Sequence, residues 1–241
     1  MPRTGSPFPP TRASVVQGVR SDDPETRKRA YTTLVESYWR PVYTYVRLQW
    51  RRDAEQAQDL TQEFLARVVE KEFLGTYEPG RSRLRTFVRT CLDRLVQNAD
   101  RDARRLKRGG GFEIRSLDFG SVEGELSRLD PPDPNQGEAF FEREWIRGFF
   151  GSVVEELRLE CEESGKQIHF QLFERYDLEE AGATYESLAR DFELSSNDVT
   201  NRLAYARRTF RRIALERLRT LTGDEAEFRA EARTLLGVDV S

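Results

Sequence analysis

Apolar residues return at three- and four-residue steps along most of this chain, and no useful run alternates apolar with polar one for one. That spacing predicts helices and no strands, because a helix brings a side chain back to one face about every 3.6 residues and a strand about every two. Between 24 and 52 the face is Leu34, Val35, Tyr38, Val42, Tyr45, Val46 and Trp50, with Pro41 as either a kink or a break between two helices. Asp53 is an N-cap candidate for a second helix with Leu60, Phe64, Leu65, Val68 and Val69 inward. GTYEPGRS, from Gly75 to Ser82, reads as a loop broken at Pro79-Gly80. A third helix turns Leu84, Phe87, Val88, Cys91, Leu92, Leu95 and Val96 inward and Arg85, Arg89, Asp93, Asn98 and Arg101 outward, and it stops at Gly109-Gly110-Gly111.

After a stretch containing LDPPDPNQG, helical spacing resumes with Phe140, Phe141, Trp145, Ile146, Phe149, Phe150, Val153, Val154 and Leu157. A shorter helix carries Ile168, Leu172, Phe173 and Tyr176. YESLARDFELSSNDVTNRLAYARR, from Tyr185 to Arg208, then reads as helix, tight turn, helix, and Asp224 to Leu236 as one short helix. The expected fold class is all-α, with two helical domains at 24–111 and 139–222 joined by an acidic linker at 112–138. A disordered tail is expected over 1–23 and a short C-terminal helix or tail over 223–241.

Composition narrows the function class. The 241 residues are 37% hydrophobic and 34% charged, enough to bury a core beneath a highly charged surface. No apolar run approaches the roughly 20 residues of a membrane span, and the first residues lack the apolar segment of a secretory leader. Cys91 and Cys161 fall on apolar helical faces, which fits buried thiols in a reducing cytoplasm. One histidine, His169, and two distant cysteines leave little for metal ligation or a nucleophile–base pair. The glycine triplet follows no strand and lacks the Lys-Ser/Thr of a phosphate loop. Neither an enzyme nor a cofactor is expected.

A net charge of −3 hides strong segregation. From Arg81 to Arg108 ten basic residues face three aspartates; Glu113 to Glu144 is acidic; a second basic block runs from Arg202 to Arg219. Two separate surfaces for polyanions follow.

In the helix–turn–helix stretch, Leu188 and Phe192 point inward, Ala189 allows close approach and Leu194 plugs the turn. Ser195 and Asp198 have capping-box spacing. Val199, Leu203, Ala206 and Phe210 make the inner stripe of the second helix. Its outer face, Asn197, Thr200, Asn201, Arg202, Tyr205, Arg207 and Arg208, suits base edges and phosphates in a major groove. An ordinary helical hairpin with a solvated basic face has the same pattern, so both readings stay open here. Glu193 stands where such turns commonly use Gly.

Taken together, these segments resemble the RNA polymerase sigma factors of the extracytoplasmic-function type, in the sigma-70 family. QAQDLTQEFLARVVE, from Gln56 to Glu70, is similar to that family's acidic "DAEDLVQEVF"-like polymerase-contact run. RLRTFVRTCLDRLVQN, from Arg83 to Asn98, is similar to its "FRTWLYRIARN"-like promoter-melting helix, and Tyr185 to Arg208 to its region-four helix-turn-helix. The resemblance covers about 25–220. It implies contacts to core RNA polymerase through Asp59, Gln62, Glu63 and Phe64. It implies a −10 element site at Tyr77, Arg81, Arg83, Arg85, Arg89, Asn98 and Arg101, with Tyr77 stacking on an unpaired base. For the −35 duplex it implies Ser196, Asn197, Thr200, Asn201, Arg202, Tyr205, Arg207, Arg208 and Arg211.

The implied partners are core polymerase and promoter DNA, with an anti-sigma factor or a regulatory kinase as further candidates and no membrane. Gln56 and Gln58 replace the usual acids, and Thr61 beside them is a phosphorylation candidate that would restore negative charge. Two other readings compete. One is a stand-alone helix-turn-helix regulator that uses 25–108 for dimerisation or ligand sensing. The other is a helical scaffold for acidic partners.

Overall fold

A computed structural model describes residues 14–69, 74–102, 117–126, 133–179 and 182–240. Among the described residues there are ten α-helices and no strand: α1 (Val15–Val19), α2 (Pro24–Leu48), α3 (Ala54–Val69), α4 (Leu84–Asp102), α5 (Phe119–Leu126), α6 (Gly137–Glu163), α7 (Gln167–Phe173), α8 (Tyr185–Asp191), α9 (Ser196–Thr220) and α10 (Glu225–Leu236). The all-α expectation is met. No helix among them is long and apolar enough to cross a membrane.

Local chemistry explains most of the helix starts. Asp23 accepts the Thr26 amide at 2.9 Å ahead of Pro24, and Asp53 accepts the Gln56 amide at 2.8 Å. Helix α2 runs through Pro41 without ending. An interior proline costs roughly 3 kcal/mol, but the residues around it, Tyr38, Val42, Tyr43, Tyr45 and Val46, are all buried, and that packing outweighs the lost bond.

Helix α6 sets the architecture. Its first half lies on α2 and α4 and its second half on α7 and α9. Phe141 meets Tyr45 edge-on at 5.3 Å, Trp145 lies 6.3 Å from Tyr38, and Phe150 stacks 6.2 Å from Phe210 of α9. The buried residues of both halves therefore form a single cluster. The expected N- and C-terminal helical groups share a core.

Two expected boundaries need correction. The tail predicted over 1–23 is ordered from Ser14: Val15, Val16 and Val19 of α1 are buried against α2. Residues 1–13 lie outside the described ones. The predicted linker is not a free tether either, because α5 lies within it and docks on α2 through Phe119, 4.7 Å from Tyr43 and 5.7 Å from Trp39. Glu123 of α5 takes Arg47 through two nitrogens, at 2.5 and 2.9 Å, and the Tyr43 hydroxyl at 2.6 Å. The remainder of the linker, 112–116 and 127–132, and the Gly109-Gly110-Gly111 stop lie outside the described residues.

Both cysteines are free and buried, and burial pushes the Cys91 thiol up to about 11. The α8–α9 turn forms as its sequence directs. Thr184 and Ser187 cap α8 reciprocally, and Ser195 and Asp198 form the capping box of α9. Glu193 sits in the left-handed region at φ 53°, where the Leu194 amide can reach the Ala189 carbonyl at 2.8 Å. A side chain costs about 1–2 kcal/mol there. Replacing it with glycine relieves that strain but adds about 0.4–1 kcal/mol of unfolded-chain entropy. Glu193→Gly should therefore stabilise the protein by about 0.5–1 kcal/mol, read as a higher urea midpoint at unchanged slope.

Candidate nucleic-acid and polymerase interfaces

Helix α9 buries Val199, Leu203 and Ala206 and so fixes which of its side chains face outward. Ser196, Asn197, Thr200, Asn201, Arg208 and Arg211 are exposed. The Thr200 hydroxyl donates to the Ser196 carbonyl at 2.9 Å. Among the described residues neither Arg208 nor Arg211 has an ion-pair partner. Arg202 is half-buried. Tyr205 is half-buried too, with the Lys166 ammonium 4.0 Å from its ring centre and the His169 ring edge-on at 5.2 Å. Burial, then Arg202 and Lys166, hold the His169 imidazole below its usual range beneath this cationic edge.

Arg207 is a correction to the expected reading face. Its guanidinium grips Asp177 through Nε at 3.0 Å and Nη2 at 2.8 Å, donates to the Tyr185 hydroxyl at 3.2 Å and lies 5.2 Å from the Tyr176 ring centre. That closed set ties α9 to α8 and to the π-helical turn Glu174–Leu178. In this structure it clamps α9, with its side chain 40% exposed.

The α3 face divides in the same way. Asp59 and Glu63 are exposed and Gln62 is half-buried, but Phe64 is 1% exposed and belongs to the core. Glu63 pairs with Arg67 at 2.6 Å, one turn on, leaving Asp59 as the carboxylate of this run without an ion-pair partner among the described residues. Thr61 also departs from expectation. Its side chain is fully buried and its hydroxyl has no hydrogen-bond partner among the described residues, so a kinase cannot reach it in this conformation.

Around the loop ahead of α4, the expected base-stacking platform is part of the core. Tyr77 is 1% exposed and packs 5.1 Å from Phe87. Its hydroxyl donates to Glu227 Oε2 at 3.0 Å, with the Ser82 carbonyl a second acceptor at 3.1 Å. Burial and then the Glu227 charge push that hydroxyl well above its ordinary pKa. Arg20, just after α1, holds the loop from behind by donating to the carbonyls of Tyr77 at 2.6 Å and Leu74 at 3.2 Å.

Arg85 is also enclosed, 4% exposed, with Glu142 of α6 at 2.5 Å, Glu231 of α10 at 2.6 Å and the Trp145 ring centre at 5.0 Å. Burial opposes its charge, but the two carboxylates outweigh burial and hold it protonated. Arg83 reaches the same two acids, at 3.2 and 3.0 Å. Arg89 is fixed by Asp93 at 2.7 Å, an acid that also accepts from Tyr45 and Trp50, and stands 3.7 Å from Glu138. Among the described residues Arg81 pairs with Glu78 alone, both well exposed, and Asn98 is exposed on α4. The side chain of Arg101 lies outside the described ones.

Of the expected −10 residues, then, the structure gathers Tyr77, Arg83 and Arg85 into one cluster, burying Tyr77 and Arg85 and leaving Arg83 exposed but paired with two acids. Sequence reasoning missed the covering groups, Glu142, Glu227 and Glu231. No motif marks them, since acids on helices are the commonest surface residues.

Thr61 generates a direct test. An unpartnered buried hydroxyl costs about 1–3 kcal/mol, so Thr61→Val, which keeps the shape and removes that group, should leave urea stability unchanged or raise it by about 1 kcal/mol. A loss beyond about 1 kcal/mol would show that the hydroxyl is bonded in the folded protein.

No protein of curated function and no solved structure matches the chain. Residues 34–106, from within α2 to just past α4, match the family described as Sigma-70 region 2.

Proposed function

We propose that this protein is a sigma factor of the extracytoplasmic-function type, a promoter-specificity subunit of RNA polymerase. The observation that carries the reading is a pairing: a region 2 match over 34–106, followed downstream by a capped helix–turn–helix whose second helix exposes hydrogen-bonding and cationic side chains. In this reading the exposed side of α3, centred on Asp59, meets core polymerase. Arg83, Arg85 and Arg89 hold the −10 strand once uncovered. Ser196, Asn197, Thr200, Asn201 and Arg202 of α9 read the −35 duplex, with Arg208 and Arg211 on phosphates. Arg207 acts through the clamp on α8 and Phe64 through the core beneath α3.

The test is co-purification with core RNA polymerase followed by run-off transcription on a promoter library. Specific initiation that depends on the added protein is the expected result. No core binding, together with tight binding to duplex DNA by the protein alone, would instead make it a free-standing regulator. Within the complex, Arg208→Ala and Arg211→Ala should each weaken duplex binding across all sequences. Each should also lower the slope of log affinity against log salt by about one, without changing unfolding. Asn201→Ala should instead alter sequence preference at one position by about 1–3 kcal/mol.

A further inference from the structure

Helix α10 has no place in the proposed polymerase or −35 contacts, yet it bears one buried carboxylate, Glu231, and a half-buried one, Glu227, that accepts three hydrogen bonds. Glu227 Oε1 accepts the Leu84 amide at 2.7 Å, and Oε2 accepts the Gly223 amide at 2.7 Å and the Tyr77 hydroxyl at 3.0 Å. Glu231, 1% exposed, sits between Arg83 at 3.0 Å and Arg85 at 2.6 Å. The Leu84 amide opens α4 and is one of the donors a helix leaves unpaired at its start. Two guanidinium groups, a phenol and a helix-start amide in one cluster are the donors that a sugar–phosphate strand would use. Here α10 carboxylates accept from all four, sharing the two guanidinium groups with Glu142 of α6, 3.2 Å from Arg83 and 2.5 Å from Arg85.

The fit extends to the backbone. A Cβ on Gly223 would lie 2.7 Å from the Tyr77 hydroxyl oxygen and 2.8 Å from its Cε1, so only glycine lets the chain pass over that ring. The Gly223 φ lies outside the left-handed region, so close approach is what requires glycine there. Phe228 and Ala232 are buried on the same side of α10, with the Arg219 guanidinium 4.0 Å from the Phe228 ring centre.

We propose that α10 is a built-in competitor for single-stranded DNA: its acids occupy the −10 cluster, and the cluster binds a strand only after α10 leaves. The inference rests on the sigma-factor reading for the identity of the strand. Exchange is feasible because a buried ion pair gains little net free energy over its solvated or re-paired forms. A phosphate strand takes the place of Glu231 on Arg83 and Arg85, which keep Glu142 as their other partner, as α10 returns Glu227 and Glu231 to water. The closed protein therefore binds a strand with an affinity lowered by its open fraction.

The test uses the full chain and a fluorescently labelled single-stranded DNA of mixed sequence, followed by anisotropy at fixed salt. The double variant Glu227→Gln/Glu231→Gln should bind at least about tenfold more tightly than wild type. Gly223→Ala keeps every carboxylate and forces a methyl against Tyr77, so it should act in the same direction. Unchanged affinity in both folded variants, or no binding by wild type and variants alike, overturns the inference.

Wild type supplies a check without substitution. Saturating DNA should speed amide exchange over 223–236, and saturation with unchanged exchange also overturns it. Core-polymerase binding by the same samples separates the two levels. Retained core binding with unchanged DNA affinity removes the competitor role alone, whereas no core binding even by wild type removes the sigma-factor reading beneath it.

Discussion

A helix that is apolar on two sides must be covered on two sides, and α6 imposes that demand on the rest of the chain. Phe140, Phe141, Trp145 and Phe149 are each under 5% exposed, and aromatic side chains of this size are worth roughly 1.5–3 kcal/mol apiece when buried. With α2 and α4 against one stretch and α7 and α9 against the next, the region 2 match and the helix-turn-helix cannot separate without exposing that stripe. Helix α9, packed on α6, in turn carries the chain back to the loop before α4. Helix α10, entering through Gly223, lands there.

Charge follows the same geometry. Acids from the later part of the chain meet arginines of the earlier part: Glu123 meets Arg47, Glu138 approaches Arg89, and Glu142 and Glu231 pair with both the exposed Arg83 and the buried Arg85. The segregation visible along the sequence becomes internal neutralisation in the fold. Exposed pairs of this kind contribute roughly 0–1 kcal/mol and buried ones little net. Apolar contact on α6 therefore supplies the adhesion, and the ion pairs decide register and what can displace α10. The faces left uncovered, around Asp59 on α3 and along Asn197 to Arg211 on α9, are the two that the sigma-factor reading needs exposed.

Local order was legible in the sequence. The Asp53 cap, the Ser195–Asp198 box and the short helix ending at Leu236 all follow from residue types acting on near neighbours. Helix α5 was readable in principle, since Phe119, Val122 and Leu126 recur on one face and Asp118 accepts the Ser121 amide at 3.1 Å, but eight residues between a glycine triplet upstream and a proline-rich stretch downstream look like linker. Nothing local distinguished Tyr77 as core from Tyr77 as a base platform. The deciding partner, Glu227, lies 150 residues away. Arg207 posed the same problem: on a helix face it resembles Arg208, and only Asp177 and Tyr185, brought beside it by folding, set them apart.

The claim most exposed to contradiction is that the cluster before α4 is closed in the free protein and open in the working complex. Spin labels at the exposed positions Arg81 and Arg229 would report it by pulsed dipolar spectroscopy, with the native thiols buried and unreactive. A single short distance in the free protein, giving way to a longer one with core polymerase and promoter DNA, is the expected result. The same short distance persisting in a complex competent for initiation would contradict it.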